Sequence, residues 1–250
     1  MATLNITTLS AISTSPVDNA MAVLLGENLL INFNTTIQKG SGNILIKKML
    51  DNSIVETIDV LSSSITVNGN QLTINPKVDF ISNTGYYVEI ASTAIQDLAG
   101  NSFSGITGNS TWNFQTVDAI APTILSISPL DNATTVPLGE NLIVNFNEMV
   151  QKGLGDILIK KVSDNSVVET INVTSPNVTV NGSQVTINPI ADFTSNTGYY
   201  VEITNGAIRD MARNSFAGMT GSSLWNFQTV DNISPTLVSL NPIDNRLVVK

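Results

Sequence analysis

The sequence matches itself at one offset, 113 residues, without a gap. Leu25-Gly26-Glu27-Asn28 recurs as Leu138-Gly139-Glu140-Asn141, Gly85–Ile90 as Gly198–Ile203, and Trp112–Thr116 as Trp225–Thr229. From Pro16 to Asp118, 69 of 103 positions equal their partners, which marks a recent duplication rather than convergence. So long a period exceeds that of solenoid units, which cannot bury their apolar face alone, and fits a self-sufficient domain. The expected organisation is one repeat over 1–118 and a second over 119–231. Residues 232–250 would be a linker and the first strand of a truncated third repeat, because Asn241–Asn245 restarts the pattern of Ser128–Asn132. The chain therefore reads as a piece of a longer array.

Within one repeat the apolar residues alternate with period 2. Leu29, Ile31 and Phe33 interleave with Leu30, Asn32 and Asn34, and Trp112 and Phe114 interleave with Asn113 and Gln115. Such runs, bounded by Asn, Gly, Pro and Ser, are half-buried strands. Segments 9–14, 29–34, 43–49, 54–60, 65–67, 70–75, 86–91 and 112–117 give eight. Val67-Asn68-Gly69-Asn70 signals a hairpin, since a type I′ turn needs positive φ at both central residues. Domains strung end to end favour an odd count, so 54–60 and 65–67 are expected to join as one strand kinked at Ser62-Ser63-Ser64. Seven antiparallel strands in about 100 residues is the count of an immunoglobulin-like β-sandwich. Tyr86, opening the sixth strand, suits a tyrosine corner. The one helical hint is a turn at Ala94–Leu98. Lys47-Lys48 and Lys160-Lys161 are expected to guard sheet edges.

The composition removes many functions. With neither cysteine nor histidine, the chain has no disulfide, no thiol catalysis, no Ser-His-Asp triad and no His-ligated metal. A net charge of −9 gives no electrostatic footprint for nucleic acid or an anionic membrane. The longest apolar run, Ala20–Leu25, is far short of the roughly 20 residues of a membrane span. Met1–Ser10 lacks the basic start and apolar stretch of a signal peptide. Paired carboxylates are the catalytic machinery left, and Asp79, Glu89 and Asp97 recur as Asp192, Glu202 and Asp210. Catalytic clefts usually carry loop insertions, and the two repeats differ by none, so no enzyme is expected.

At this level the residues resemble a family. The motifs are an early Pro-x-Asp-Asn, Phe146–Val150 (Phe-Asn-Glu-x-Val), Tyr-x-Val-x-Ile, Ile95–Asn101 (Ile-x-Asp-x-Ala-Gly-Asn) and a closing Trp-x-Phe-x-Thr. In this order they resemble bacterial Ig-like domains, in particular the SbsA-type repeats of S-layer and other large surface proteins. Two positions depart from the pattern: Thr35 stands where Glu is favoured, and Arg213 replaces Gly100. The resemblance implies a non-catalytic structural or adhesive spacer at a bacterial cell surface, contacting neighbouring repeats. A carbohydrate- or protein-binding module is the alternative.

Two sets of candidate site residues follow. Tyr86/Tyr199 and Trp112/Trp225 are placed in the core by their neighbours, whereas Tyr87 and Tyr200 face the other side and are candidate contacts for a glycan or protein. The loops 92–111 and 205–224 are further candidates. Differences between the repeats are the sharper signal. Where the first repeat has Asn5, Thr35 and Asn43, the second has Asp118, Glu148 and Asp156, and Asp97 is kept as Asp210. A seven-strand topology places all four at the pole where the chain enters. Asp118, Glu148, Asp156 and Asp210 are thus a candidate Ca²⁺ site, since Ca²⁺ takes oxygen ligands without His or Cys. A solvated acidic pole without an ion is the alternative. Asp18 and Asp79 are expected at the opposite side of the same junction.

Overall fold

A computed structural model describes residues 8–239. The chain divides into two compact units, residues 1–120 and 121–250. The start of a third copy at Asn241 lies outside the described residues. All regular structure among the described residues is β, and no helix is long and apolar enough to cross a membrane.

The strands of the first unit are β1 (Ala11–Ser15), β2 (Ala20–Val23), β3 (Leu29–Phe33), β4 (Ile37–Lys39), β5 (Asn43–Lys48), β6 (Ile54–Asp59), β7 (Ile65–Asn68), β8 (Gln71–Ile74), β9 (Gly85–Ile90), β10 (Ile95–Asp97) and β11 (Asn113–Thr116). They form a sandwich of two sheets ordered β1-β3-β8-β7 and β2-β11-β9-β5-β6, with β4 and β10 as a short separate pair. The second unit repeats this with β12 (Ile124–Ser128), β13 (Ala133–Val136), β14 (Leu142–Phe146), β15 (Val150–Lys152), β16 (Asp156–Lys161), β17 (Val167–Asn172), β18 (Val178–Asn181), β19 (Gln184–Ile187), β20 (Gly198–Ile203), β21 (Ile208–Asp210) and β22 (Asn226–Thr229).

The alternation in sequence becomes the alternation in burial. β3 reads buried at Leu29, Ile31 and Phe33 and half-buried between them, and β14 repeats it. These residues meet Ile44, Ile46, Tyr86, Val88, Trp112 and Phe114 of the facing sheet in one core. Phe80, Tyr86 and Phe114 pack ring to ring with centroids 4.9–5.8 Å apart. Polar ends of buried aromatics find partners, as burial demands. The Ile81 N–H donates to Tyr86 Oη at 2.9 Å, which is the expected tyrosine corner, and Trp112 Nε1–H donates to the Pro16 carbonyl at 2.8 Å. Both bonds recur in the second unit, from Thr194 to Tyr199 and from Trp225 to Pro129.

Four expectations are corrected. Residues 54–60 and 65–67 are not one kinked strand: β6 closes one sheet and β7 the other, so the turn between them crosses the sandwich. Nine strands, rather than seven, build the two sheets of each unit. The extra ones are β7 and β2, and β2 runs parallel to β11. Ala94–Leu98 is no helical turn, because Ile95–Asp97 pairs with Ile37–Lys39. Lys47 and Lys48 lie on an inner strand, between β9 and β6, and guard no edge.

Gly40 and Gly153 let the β4–β10 and β15–β21 regions close up. A Cβ on Gly40 would stand 2.1 Å from the Thr93 carbonyl oxygen, and one on Gly153 would stand 2.0 Å from that of Gly206. No side chain fits there.

Candidate functional site

The entry pole of each unit is built around one asparagine. Asn34 follows β3, accepts the Ser10 N–H on Oδ1 at 3.0 Å and donates to the Thr8 carbonyl. In the second unit Asn147 accepts the Thr123 N–H at 2.7 Å, which fixes the incoming chain beside residue 148. The antiparallel pair β15–β21 then sets Asp210 opposite Val150, two residues beyond Glu148. A carboxylate oxygen of Glu148 lies within 4.8 Å of one of Asp210. The pole expected from the sequence thus brings these two acids together within one unit.

Asp210 is 1% exposed and has a local task. Its Oδ1 accepts the Asn214 N–H at 2.7 Å and its Oδ2 accepts Asn214 Nδ2–H at 2.7 Å, closing the turn after β21. Asp97 does the same in the first unit with the N–H groups of Ala99 and Asn101 and the side chain of Asn101. These donors stabilise the ionised form and hold the Asp97 carboxyl below its ordinary value. The motif Ile-x-Asp-x-Ala-Gly-Asn is therefore a folding device first. Glu148 is the new element, since the first repeat has Thr35 there.

The other predicted ligands each have partners in their own unit. Asp118, at the exit of the first unit, accepts the Ile120 N–H at 3.1 Å and faces Ser82 Oγ and Asn83 Nδ2 at 3.3 and 3.4 Å. Asp156 opens β16 and accepts Asn172 Nδ2–H at 3.0 Å. Asp18 does not stand at the exit. Its Oδ1 accepts both the N–H and the Nδ2–H of Asn113, at the start of β11. Asp79 lies beside Gly26, in the loop leading to Ser82.

One further residue of this pole, Arg209, gives no signal to a reading of acids alone. Arg209 replaces Gln96 and Arg213 replaces Gly100, so two of the chain's three arginines sit on β21 and its turn. Arg209 Nε is buried without a hydrogen-bond partner, and Arg213 holds φ of 77° where Gly100 has 86°. A side chain at this left-handed position is strained. The turn has kept its left-handed residue.

The predicted contact tyrosines are covered. Tyr87 and Tyr200 are each 3% exposed. Tyr87 Oη pairs with Asn52 Oδ1 at 3.0 Å, and Lys47 Nζ lies 5.7 Å from its ring centroid. The Lys47 ammonium bridges Glu89 at 2.7 Å, and Glu89 also accepts the Gly108 N–H at 3.0 Å. The ammonium and then the amide hold the Glu89 carboxyl below its ordinary value against the opposing effect of burial. The same cluster recurs at Lys160, Tyr200 and Glu202. Little ring surface is left for a ligand. The loops 92–111 and 205–224 are likewise folded onto the core, with Phe103, Ile106, Phe216 and Met219 buried.

Comparison with known proteins agrees with this anatomy. The sequence matches the bacterial Ig-like domain family twice, over residues 5–116 and 118–229. The chain belongs to that family. No curated protein matches it. Among solved structures, an I-band fragment of titin (I67–I69) is 10% identical with a TM-score of 0.43, covering 90% of this chain and 66% of its own. The N-terminal part of the bacterial S-layer protein SbsC is 14% identical with a TM-score of 0.31, covering 90% and 45%. The BSP domain of a biofilm associated protein is 13% identical with a TM-score of 0.23, covering 91% and 30%. The two Ig-like domains thus span about two-thirds or less of these structures. All three TM-scores are below 0.5, and the family assignment rests on the sequence match. In both Ig-like domains the motif residues Asp18/Asp131, Asp97/Asp210 and Trp112/Trp225 act within the fold, as strand, turn and core anchors.

Proposed function

We propose that the chain is a load-bearing, non-catalytic spacer in an extracellular bacterial surface protein, holding another part of its parent away from the cell. The path of the chain through each unit carries this reading. It enters beside Asn34, at the end of β3, where the Asn34 N–H donates to the Ser10 carbonyl. It leaves beside Asn83, whose N–H donates to the Val117 carbonyl, in the loop whose Phe80 N–H donates to Leu25, before β3 begins. A domain entered at one end and left at the other adds length with each copy. Its last strand β11 and the early strand β2 are parallel, so a pull on the two ends loads their hydrogen bonds in shear. Shear strains several bonds together, whereas peeling breaks them singly.

Pulling the chain by its ends in a single-molecule instrument tests this. Two similar unfolding events are expected, each releasing the length of about one repeat. Extension without resolvable force peaks would remove load-bearing. Specific capture of a glycan by the unpulled chain would favour the binding module.

A Ca²⁺ ion at the entry pole of the second unit is part of the same proposal. The approach of Glu148 to Asp210 supports it, since two carboxylates this close repel unless a cation screens them. Asp118 and Asp156 are the other acids expected from the sequence; within the second unit the proposal rests on Glu148 and Asp210. The competing cations are the guanidinium groups of Arg209 and Arg213. Calorimetric titration with Ca²⁺ and chelator decides between them. Ca²⁺ should raise the melting temperature of the parent and not of Glu148→Thr, which restores the residue of the first repeat. Equal behaviour of the two at millimolar Ca²⁺ would overturn the ion.

A further inference from the structure

A strand with a neighbour on one side only is a template for another strand. In the first unit the two sheets end in β1 and β7 and in β2 and β6, and three of these four edges, β1, β2 and β6, carry a bulge. In β1, Ile12 has no opposite residue between the pairs Ala11–Phe33 and Ser13–Asn32. In β2, Met21 and Ala22 stand against Gln115 alone, between Ala20–Phe114 and Val23–Thr116. In β6, Val55 is the extra residue between Ile54–Lys47 and Glu56–Ile46. The second unit repeats all three, at Leu125, Thr134-Thr135 and Val168. The fourth edge, β7, has four residues and ends in a turn whose Gly69 carbonyl accepts the Ile37 N–H.

These edges need protection. β6 reads Ile-Val-Glu-Thr-Ile-Asp and β17 Val-Val-Glu-Thr-Ile-Asn, β-forming runs without Pro or Lys that carry two carboxylates and one. Ile12, Met21, Val55, Leu125 and Val168 are apolar and exposed. A bulge breaks the even row of N–H and C=O groups, sharpens the local twist and spoils the register that an added strand needs. At β2 and β13 the bulge is kept although it holds Ala22 and Thr135 at φ of 59° and 61°, a costly conformation for a β-branched threonine.

We infer that the bulges in β1, β2 and β6, with their repeats, close the sheet edges to strand addition, so that copies of this chain do not pair side by side. This stands independently of the spacer reading. The test deletes Val55 and Val168, which restores an unbroken register along β5–β6 and β16–β17. The deleted chain should keep a β-sheet circular dichroism spectrum and associate, in sedimentation velocity, at about tenfold lower concentration than the parent, as about 1.4 kcal/mol of added affinity would give. Amides of β6 and β17 should become slower to exchange. A folded deletion variant as monomeric as the parent overturns the inference. So does a parent that itself associates with protection of β6. A peptide of residues Ile54–Asp59 offered to the parent needs no altered chain and serves if the deletion unfolds. No binding is expected, and binding that protects β6 amides overturns the inference.

Discussion

Two residues show how differences between the repeats become measurable. Arg213 sits in a left-handed conformation that costs a side-chain-bearing residue about 1–2 kcal/mol, while glycine there gives back about 0.5–1 through its freer unfolded chain. Nothing lies within 4 Å of a Cβ built at the equivalent Gly100, so no packing is at stake in the first repeat. Arg213→Gly should therefore stabilise the second unit by up to about 1.5 kcal/mol, seen as a rise of a few degrees in its melting temperature. A fall would mean that the arginine's charge is worth more than the strain, which would favour it as the counter-ion of Glu148. Glu89 and Glu202 give a pH signature. Each is held below its ordinary carboxyl value, first by its lysine. A depressed folded-state value means that the stability they add is complete above the unfolded-state value. It is lost as pH falls through the folded one. The double variant Glu89→Gln/Glu202→Gln should be less stable than the parent at neutral pH and should converge with it in acid, which a series of urea melts would show. The acidic pair Glu148–Asp210 was legible because acids at equivalent positions can be counted along a repeat. The role of Asp210 in its turn was not, since hydrogen-bond partners four residues away leave no mark on a charge count.

Among the elements, β2 matters most to the mechanical reading and was the least visible. Its burial runs from half-buried Ala20 through exposed Met21 and Ala22 to buried Val23, and the bulge erases the alternation that revealed β3 and β11. β10 was misread for a related reason: three residues are too few for period 2 to be told from a helical turn. The separation of β6 from β7 was hidden because alternation shows that a strand has one buried face, and not which sheet it joins. The β2–β11 contact yields a direct prediction. The Val117 N–H donates to the Val23 carbonyl at 2.8 Å, near the exit from the first unit. Val117→Pro removes that donor. In a pulling experiment the first unit should then yield at lower force while the second, with Val230 and Val136 intact, keeps its peak. Two unchanged peaks would show that the load does not pass through this pair.

For the whole molecule, duplication gives two cores made of residues from one unit each. The first gathers Leu29, Ile31, Phe33 and Trp112, and the second gathers Leu142, Val144, Phe146 and Trp225. Such a chain should unfold as two cooperative bodies, so that damage to one core is read in one transition. Leu29 is fully buried between the sheets, and Leu29→Ala removes apolar volume that the packed neighbours cannot fill, at a cost of about 2–5 kcal/mol. Its counterpart Leu142→Ala should do the same to the other unit. Differential scanning calorimetry of the parent and the two variants separates the possibilities. Each variant should lower one component by many degrees and leave the other in place, because a loss of this size is a large share of one domain's stability of about 5–15 kcal/mol. If either substitution pulled both components down together, the two units would form one cooperative body, and the steps expected on pulling would merge into one.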